Sequence, residues 1–438
     1  DGGDRYSSAP FHVAVIGSLD LGAPLRKIGW RVSAPAAGAD GGGALDPSVE
    51  AVIVADHAAD IRELPRRLVS LAWIRSDPER WLERPWFDDY DIVLVPDPAT
   101  ADVIRARSSK VATVIRPDAT GEAIRDAIAR WAASTRYSLR IGAPNRDILE
   151  QWGDYHFARA LQRSLERAGH PTKLHLLPEW TDPLAAREDV AIHLFGLKEA
   201  PTRRSQVNLL WQISHPDLAS PELYERYDHV FVASDRFAAR MRPTVGVPVT
   251  PLHQATDPER FRPDPTGPRH DLLFVGNSRN VRRRIVDDVV ETGHEIAIYG
   301  GGWRPELVDP RFVKADRIAN EELYRYYSSA AIVLNDHWGD MLAEGFISNR
   351  LYDALACGAF VISDHLPELE TEFDDAVVSY ADRAELGALI DHYLADPAER
   401  RARGERGRRA VLARHTFDER AAILRETAAP LLDVAKSR

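Results

Sequence analysis

The run Leu272–Arg284, LLFVGNSRNVRRR, ends an apolar stretch on Gly276, Asn277 and Ser278 and follows them with Arg279, Arg282, Arg283 and Arg284. Backbone N–H groups in such a turn, and at the start of the helix after it, suit phosphate oxygens. Guanidinium groups add charge-assisted, often bidentate hydrogen bonds. Arg282 and Arg283 are the expected phosphate ligands, beside Gly276 and Asn277. Without the turn, the same arginines would read as a solvated basic face. His215 directly follows the apolar run NLLWQIS, where an imidazole at a strand's carboxyl end can meet a ligand hydroxyl or phosphate. A third group is Trp152, Gly153, Asp154 and His156 in WGDYHFA, for which the structural alternative is that Asp154 merely caps a helix. Asp353, in LYDALACGAFVISD, puts an acid one turn into an apolar helix that Gly358 should end.

Several chemistries are excluded by pattern. None of the fifteen histidines sits in H-E-x-x-H or a Cys–His spacing, so no metal is expected. There is no P-loop lysine signature, and GADGGGALD near residue 40 reads as a loop. YGGGW, Tyr299–Trp303, follows a strand-like run; its glycines suit either a tight turn or close approach of backbone to a ligand.

These residues need a scaffold, and the chain supplies a repeating one. Short, continuous apolar runs such as FHVAVIG, AVIVAD, DIVLVPD, DVAIHLFG, HVFVAS, DLLFVGN, EIAIYGG and AFVISD suit strands buried on both faces of a parallel sheet. Helical patterns lie between them, including NEELYRYYSSA with Asn320 as its expected N-cap. The alternation predicts doubly wound α/β domains. LAWIRSDPERW from Leu71 matches LLWQISHPDLA from Leu209, pairing Trp73 with Trp211 and Asp77 with His215. YDIVLVPD from Tyr90 matches YDHVFVAS from Tyr227, and DAT at Asp118 matches QAT at Gln254. This duplication divides the chain into a degenerate repeat domain (1–135), a fuller copy (136–256), a third α/β unit (257–416) after the linker-like DPERFRPDPTGPRHD, and a closing helix (417–438). The first copy lacks the WGDYHFA insert and the histidine, so the second is expected to carry the chemistry.

Composition narrows the partners. With 438 residues, two or three cores are expected. A net charge of −11 argues against a nucleic-acid binder. The single cysteine, Cys357, excludes an internal disulfide and fits a reducing compartment. No run is long and apolar enough to span a bilayer, so a cytoplasmic location is expected. The chain opens on Asp1 rather than Met, as a processed chain or a piece of a larger multidomain protein would.

From Leu334 to Asp364, LNDHWGDMLAEGFISNRLYDALACGAFVISD resembles the group 1 GT-B glycosyltransferases, most closely the spore-maturation CgeB-like branch. The likeness extends to LLFVGNSRNVRRR, YGGGW and WGDYHFARAL and covers about 137–425. It implies a GT-B fold, with two facing Rossmann-like lobes and the degenerate repeat as an additional N-terminal domain. It implies transfer of a sugar from a nucleotide-diphosphate donor to a glycan, lipid-linked or other hydroxyl acceptor, without a metal or other cofactor and with retention, in bacterial surface glycan synthesis. Peripheral association with the inner membrane face is compatible with that role. Asp353 takes the place of the acid that contacts the ribose, with Asn349 and Arg350 beside it. Arg282 and Arg283 take the diphosphate, and Lys314 and Ala315 fall in the stretch whose backbone holds the nucleobase. SHPD at Ser214 is similar to a His-acid-Pro context near the reacting sugar. Two departures stand out. Asp353 is one methylene shorter than the usual Glu, and Gly345 occupies the place of a second family acid, with Glu344 one residue away. Alternatives are a non-catalytic GT-B-like glycan- or nucleotide-binding scaffold and a sugar-nucleotide epimerase.

Overall fold

The computed structural model describes residues 11–17, 21–34, 45–65, 68–115, 120–181 and 187–437. Asp118 of the repeat and the glycine-rich stretch up to residue 44 lie outside them. Among the described residues, three six-stranded sheets follow one another along the chain. The first contains β1 (His12–Ile16), β2 (Arg31–Ser33), β3 (Ala51–Val54), β4 (Val69–Trp73), β5 (Ile92–Val95) and β6 (Ala112–Val114), in the order β2-β1-β3-β4-β5-β6. The second contains β7 (Tyr137–Arg140), β8 (Thr172–His175), β9 (Val190–Phe195), β10 (Val207–Gln212), β11 (His229–Val232) and β12 (Val249–Pro251). Its order, β8-β7-β9-β10-β11-β12, repeats that of the first.

The third sheet differs. β13 (Leu272–Val275), β14 (Ala297–Tyr299), β15 (Val313–Ala315), β16 (Ile332–Asn335), β17 (Val361–Asp364) and β18 (Val378–Tyr380) run β15-β14-β13-β16-β17-β18. This is the 3-2-1-4-5-6 order of a dinucleotide-binding sheet. Pairing is parallel throughout the first and third sheets, and at β7–β8, β10–β11 and β11–β12 of the second.

The apolar runs are continuous because successive side chains enter two different cores. In β1, Val13 and Val15 pack into one cluster and Ala14 into another. In β13, Leu273 faces the core of Leu351 and Leu355, whereas Leu272 and Phe274 face that of Ile285 and Val289. By compactness the chain divides into one unit of 1–140 and 161–191 and a second of 141–160 and 192–438.

Within the second unit, the C-terminal helix Phe417–Ser437 lies on β10, and Phe417 packs edge-on against Phe157 with ring centroids 4.7 Å apart. Buried Arg420 anchors this helix by donating to the carbonyls of His253 (2.7 Å), Gln254 (3.1 Å) and Arg414 (3.0 Å).

Two local expectations need correction. Asn320 does not cap the next helix, which runs Leu323–Ser329 behind Glu322; its carboxamide oxygen instead accepts from Arg260. The proline-rich linker is packed rather than free. Phe261 is buried in the core of Leu351 and Tyr352, and the Asp264 N–H donates to Ser328 at 2.9 Å. The expected stop at Gly358 does form. The helix Asn349–Ala356 ends with Gly358 N–H on the Leu355 carbonyl and Ala359 N–H on that of Ala354, with Gly358 left-handed (φ +74°).

Candidate functional site

At the carboxyl ends of β13 and β16 a cavity of about 140 Å³ is lined by Asn277, Arg279, Arg283, Asp336, His337, Trp338, Met341, Ser348 and Arg350. This is where ligands bind open α/β sheets. Its shape begins with the turn after β13. The Gly276 N–H donates to the Tyr299 carbonyl (2.8 Å) and the Ser278 N–H to that of Gly301 (3.0 Å). A Cβ on Gly300 would lie 2.2 Å from the Gly276 oxygen. The glycines of YGGGW therefore let one loop backbone lie against another, and Trp303 ties the pair by donating its indole N–H to Gly276 (2.9 Å). Arg279 and Asn280 are both left-handed (φ +52° and +62°), a conformation that asparagine tolerates and arginine adopts at a cost. This bend carries Arg279 over the Trp338 ring, 4.9 Å from its centroid.

Three guanidinium groups converge there. Arg283 forks onto Asp336, with Nε 2.7 Å from Oδ2, and stacks over Trp338 at 4.0 Å. Arg350 donates to the Val275 carbonyl and to Asn335 Oδ1, both at 2.7 Å. Burial, then the charge of Arg283, lowers the pKa of Arg279; burial likewise lowers that of Arg350. Like charges are thus crowded with Asp336 as the one lining carboxylate. Ser348, on the cavity wall, precedes a helix with no acid in its first turn, so its N-terminal N–H groups add to the positive field.

Next to the cavity residue His337 runs a continuous polar chain. Asn335 donates to Ser363 (2.9 Å), Ser363 to Asp364 (3.0 Å), and Asp364 Oδ1 meets His337 Nδ1 at 2.6 Å.

Across from it, within the same unit, stand the groups of the second sheet. His215 is left-handed (φ +52°), and its Nδ1 lies 2.7 Å from Ser214 Oγ. Asp154, in the first turn of Gly153–Arg167 and not its cap, is hydrogen-bonded by the Trp152 side chain. Burial raises its pKa against the opposing charges of His215 and Arg279. Its Oδ2 lies 3.0 Å from where a Cβ on Gly196 would stand. Asp154, His215 and Arg279 therefore form one electrostatic group. His156 turns away to the Glu150 carbonyl (3.1 Å), and burial lowers its pKa.

Not every expected residue lines the cavity. Arg282 is exposed and engages Asp287 (3.2 Å) and the Glu306 carbonyl (2.9 Å); the neighbouring guanidinium that does line the cavity is that of Arg279. Lys314 and Ala315 are exposed on β15, where the Ala315 carbonyl accepts from Gly300 N–H (3.0 Å). Asp353 is buried and accepts from Thr256 (2.8 Å) and Asn349 (2.9 Å). Burial pushes its carboxyl well above the usual range, with Asp257 adding to the rise against both hydrogen bonds. Glu344 pairs with Arg240 at 2.9 Å. Gly345 is left-handed, and a Cβ there would stand 2.7 Å from Glu368 Oε1. An acid could not occupy position 345 without rebuilding this turn. His337 escaped sequence reasoning, although it stands two residues past a strand's carboxyl end and was discoverable by that rule.

Residues 279–426 match a family model described as glycosyl transferase-like. No curated protein matches the chain. Among solved structures, a sucrose-phosphate synthase from Thermosynechococcus elongatus superposes with a TM-score of 0.52 at 16% identity, covering 68% of this chain and 100% of that one. AviGT4, a glycosyltransferase involved in avilamycin A biosynthesis, gives 0.48 at 18% identity, covering 68% and 98%. An α-glucosyltransferase solved with UDP and a 13-mer DNA gives 0.47 at 12% identity, covering 70% and 100%. The fold is thus that of the GT-B glycosyltransferases, with several Rossmann-like parallel sheets. Among the described residues, no helix is long and apolar enough to cross a membrane.

Proposed function

We propose that the protein is a glycosyltransferase of the CgeB-like kind, using a nucleotide-diphosphate sugar. The observation that carries this reading is the convergence of Arg279, Arg283 and Arg350 on one cavity beside a helix N-terminus at the sheet's carboxyl edge. A diphosphate placed there receives hydrogen bonds that strengthen as the anomeric C–O bond breaks and negative charge builds on the departing oxygen. Guanidinium groups can supply this stabilisation without a metal ion. Asp154 and His215, linked electrostatically to each other and to Arg279, orient the acceptor hydroxyl. In the retaining transfer implied by the family likeness, the acceptor oxygen bonds to the anomeric carbon. The departing diphosphate takes the electron pair of the broken bond and then the acceptor's proton. The acceptor belongs to a bacterial surface glycan or glycoconjugate, reached from the cytoplasm or the inner membrane face.

Calorimetry with UDP, GDP, dTDP and CMP, then turnover with the corresponding sugars, tests the reading. One nucleotide should bind, and Arg350→Ala and Arg279→Ala should each weaken it tenfold or more (about 1.4 kcal/mol). Unchanged affinity in both variants sinks the site. A second reading, a non-catalytic nucleotide- or glycan-binding protein, is favoured by the engagement of Glu344 with Arg240 and by the glycine-only geometry at Gly345. Binding of a nucleotide sugar with neither transfer nor hydrolysis would select it.

A further inference from the structure

The carboxyl end of β10 carries a buried polar pair. Gln212, the strand's last residue, is wholly buried, and its carboxamide oxygen accepts from the hydroxyl of Tyr224. Tyr224 is itself wholly buried, in the short helix Pro221–Tyr224. With its oxygen so engaged, the Gln212 amide presents its N–H groups to the bend that follows. They donate to the His215 carbonyl at 3.1 Å and, more weakly, to the Ser214 carbonyl at 3.4 Å. Those two residues also meet through their side chains, with Ser214 Oγ 2.7 Å from His215 Nδ1.

The first sheet has the same bend without the pair. Ile74 follows Trp73 as Gln212 follows Trp211, and Phe87 precedes Tyr90 by three places as Tyr224 precedes Tyr227. Ile74 and Phe87 are buried together in one apolar core. Asp77 and His215 are nonetheless both left-handed (φ +52°), and both bends close alike. Arg80 N–H donates to the Asp77 carbonyl at 3.0 Å, and Leu218 N–H to the His215 carbonyl at 3.1 Å. The backbone bend therefore needs no carboxamide. A buried carboxamide and hydroxyl are costly unless their hydrogen bonds are made, so an apolar pair is the simpler solution where only packing matters. What the polar pair adds is a second hold on the His215 peptide.

We infer that Gln212 and Tyr224 are positioning residues for His215. Tyr224 sets the direction of the Gln212 amide, the amide holds the Ser214 and His215 carbonyls, and the imidazole is thereby kept in one orientation beside Asp154. Neither residue touches substrate. This rests on the reading of His215 as the group that orients the acceptor in a glycosyl transfer.

The test is Gln212→Ile combined with Tyr224→Phe, which installs the first sheet's apolar pair and removes both polar partners together, so that neither is left buried and unpaired. Release of nucleoside diphosphate from the UDP-, GDP- or dTDP-sugar that the wild type turns over gives kcat and KM. Calorimetry with the matching nucleotide gives affinity, and circular dichroism and Tm report the fold. We expect kcat to fall about tenfold while donor KM, nucleotide affinity and Tm hold. In a His215→Asp background the same two substitutions should cost nothing further, because the pair acts through that imidazole. If the double variant does not fold, Tyr224→Phe alone takes its place, since it only frees the Gln212 amide; its loss, about threefold, should again vanish without His215. An unchanged kcat, a loss that appears in nucleotide affinity instead, or a loss of equal size with and without His215 overturns the inference. A wild type that turns over none of these sugars, or a His215→Asp variant as active as the wild type, overturns the underlying reading of His215 instead.

Discussion

The first and second sheets are two versions of one design. Both follow the same strand order, and both begin their fourth strand in the same way. The carboxylate of the Tyr-Asp pair accepts from that strand's N–H, as Asp91 does from Ser70 (2.9 Å) and Asp228 from Asn208 (2.8 Å). Trp73 and Trp211 are both buried. At the carboxyl end of that strand, Asp77 and His215 share the same left-handed backbone (φ +52°), each ahead of a proline that opens a short helical turn. They differ in what surrounds that turn. Asp77 is exposed, whereas His215 is half-buried beside Ser214 and acts on Asp154 from the inserted segment. The two copies thus share the backbone turn and differ in the side chains placed on and around it.

The sharpest way to break this comparison is to convert one copy toward the other. His215→Asp uses a residue the same bend already accommodates in the first copy, so Tm should hold while turnover falls about 100-fold, roughly 2.7 kcal/mol of barrier. Asp77→His in the first copy should leave turnover unchanged. Equal losses from both would mean that the first sheet takes part in catalysis.

Asp91→Asn probes the shared strand start. Burial raises the pKa of this carboxyl, but Lys173 (2.8 Å), Arg187 and Ser70 outweigh it and keep it low. The folded state therefore gains stability from it above about pH 4, and this gain is lost as pH falls toward its depressed pKa. Chemical denaturation at pH 7 should show a loss of about 3 kcal/mol. A null result would reduce the shared hydrogen bond to decoration.

Gly196→Ala should disturb the working copy alone. Its methyl would stand 3.0 Å from Asp154 Oδ2, and turnover should drop about tenfold with Tm held. Asp353→Asn gives the smallest effect and separates ligand from structure. Because burial raises its folded pKa, the fold holds this acid protonated while the unfolded chain ionises, so stability falls as pH rises above about 4 toward the raised pKa. The variant should match or slightly exceed wild-type Tm, most clearly at alkaline pH. Nucleotide affinity that survives the change would remove Asp353 from ribose binding.

Much of the site was legible as neighbourhoods, less as contacts. Asn277, Arg283 and Arg350 line one cavity at a strand end, because a strand end and the turn after it are local features. The choice between Arg279 and Arg282 was not legible. It turns on two successive left-handed residues, of which only Asn280 has a propensity for that conformation, beside the YGGGW loop. Nor was the His337–Asp364 pair, whose members are far apart in sequence. They meet because β16 and β17 are sheet neighbours, pairing Asn335 with Ser363.

Local pattern was enough to establish the parallel α/β architecture and the glycine stop at Gly358, since each strand and each cap depends on a few consecutive residues. Which arginines share a cavity, which carboxylate is buried in a hydrogen-bonded pair, and which glutamine holds the His215 bend came from the packed fold. These depend on strand order and on distances between segments that the chain's own sequence spacing does not encode.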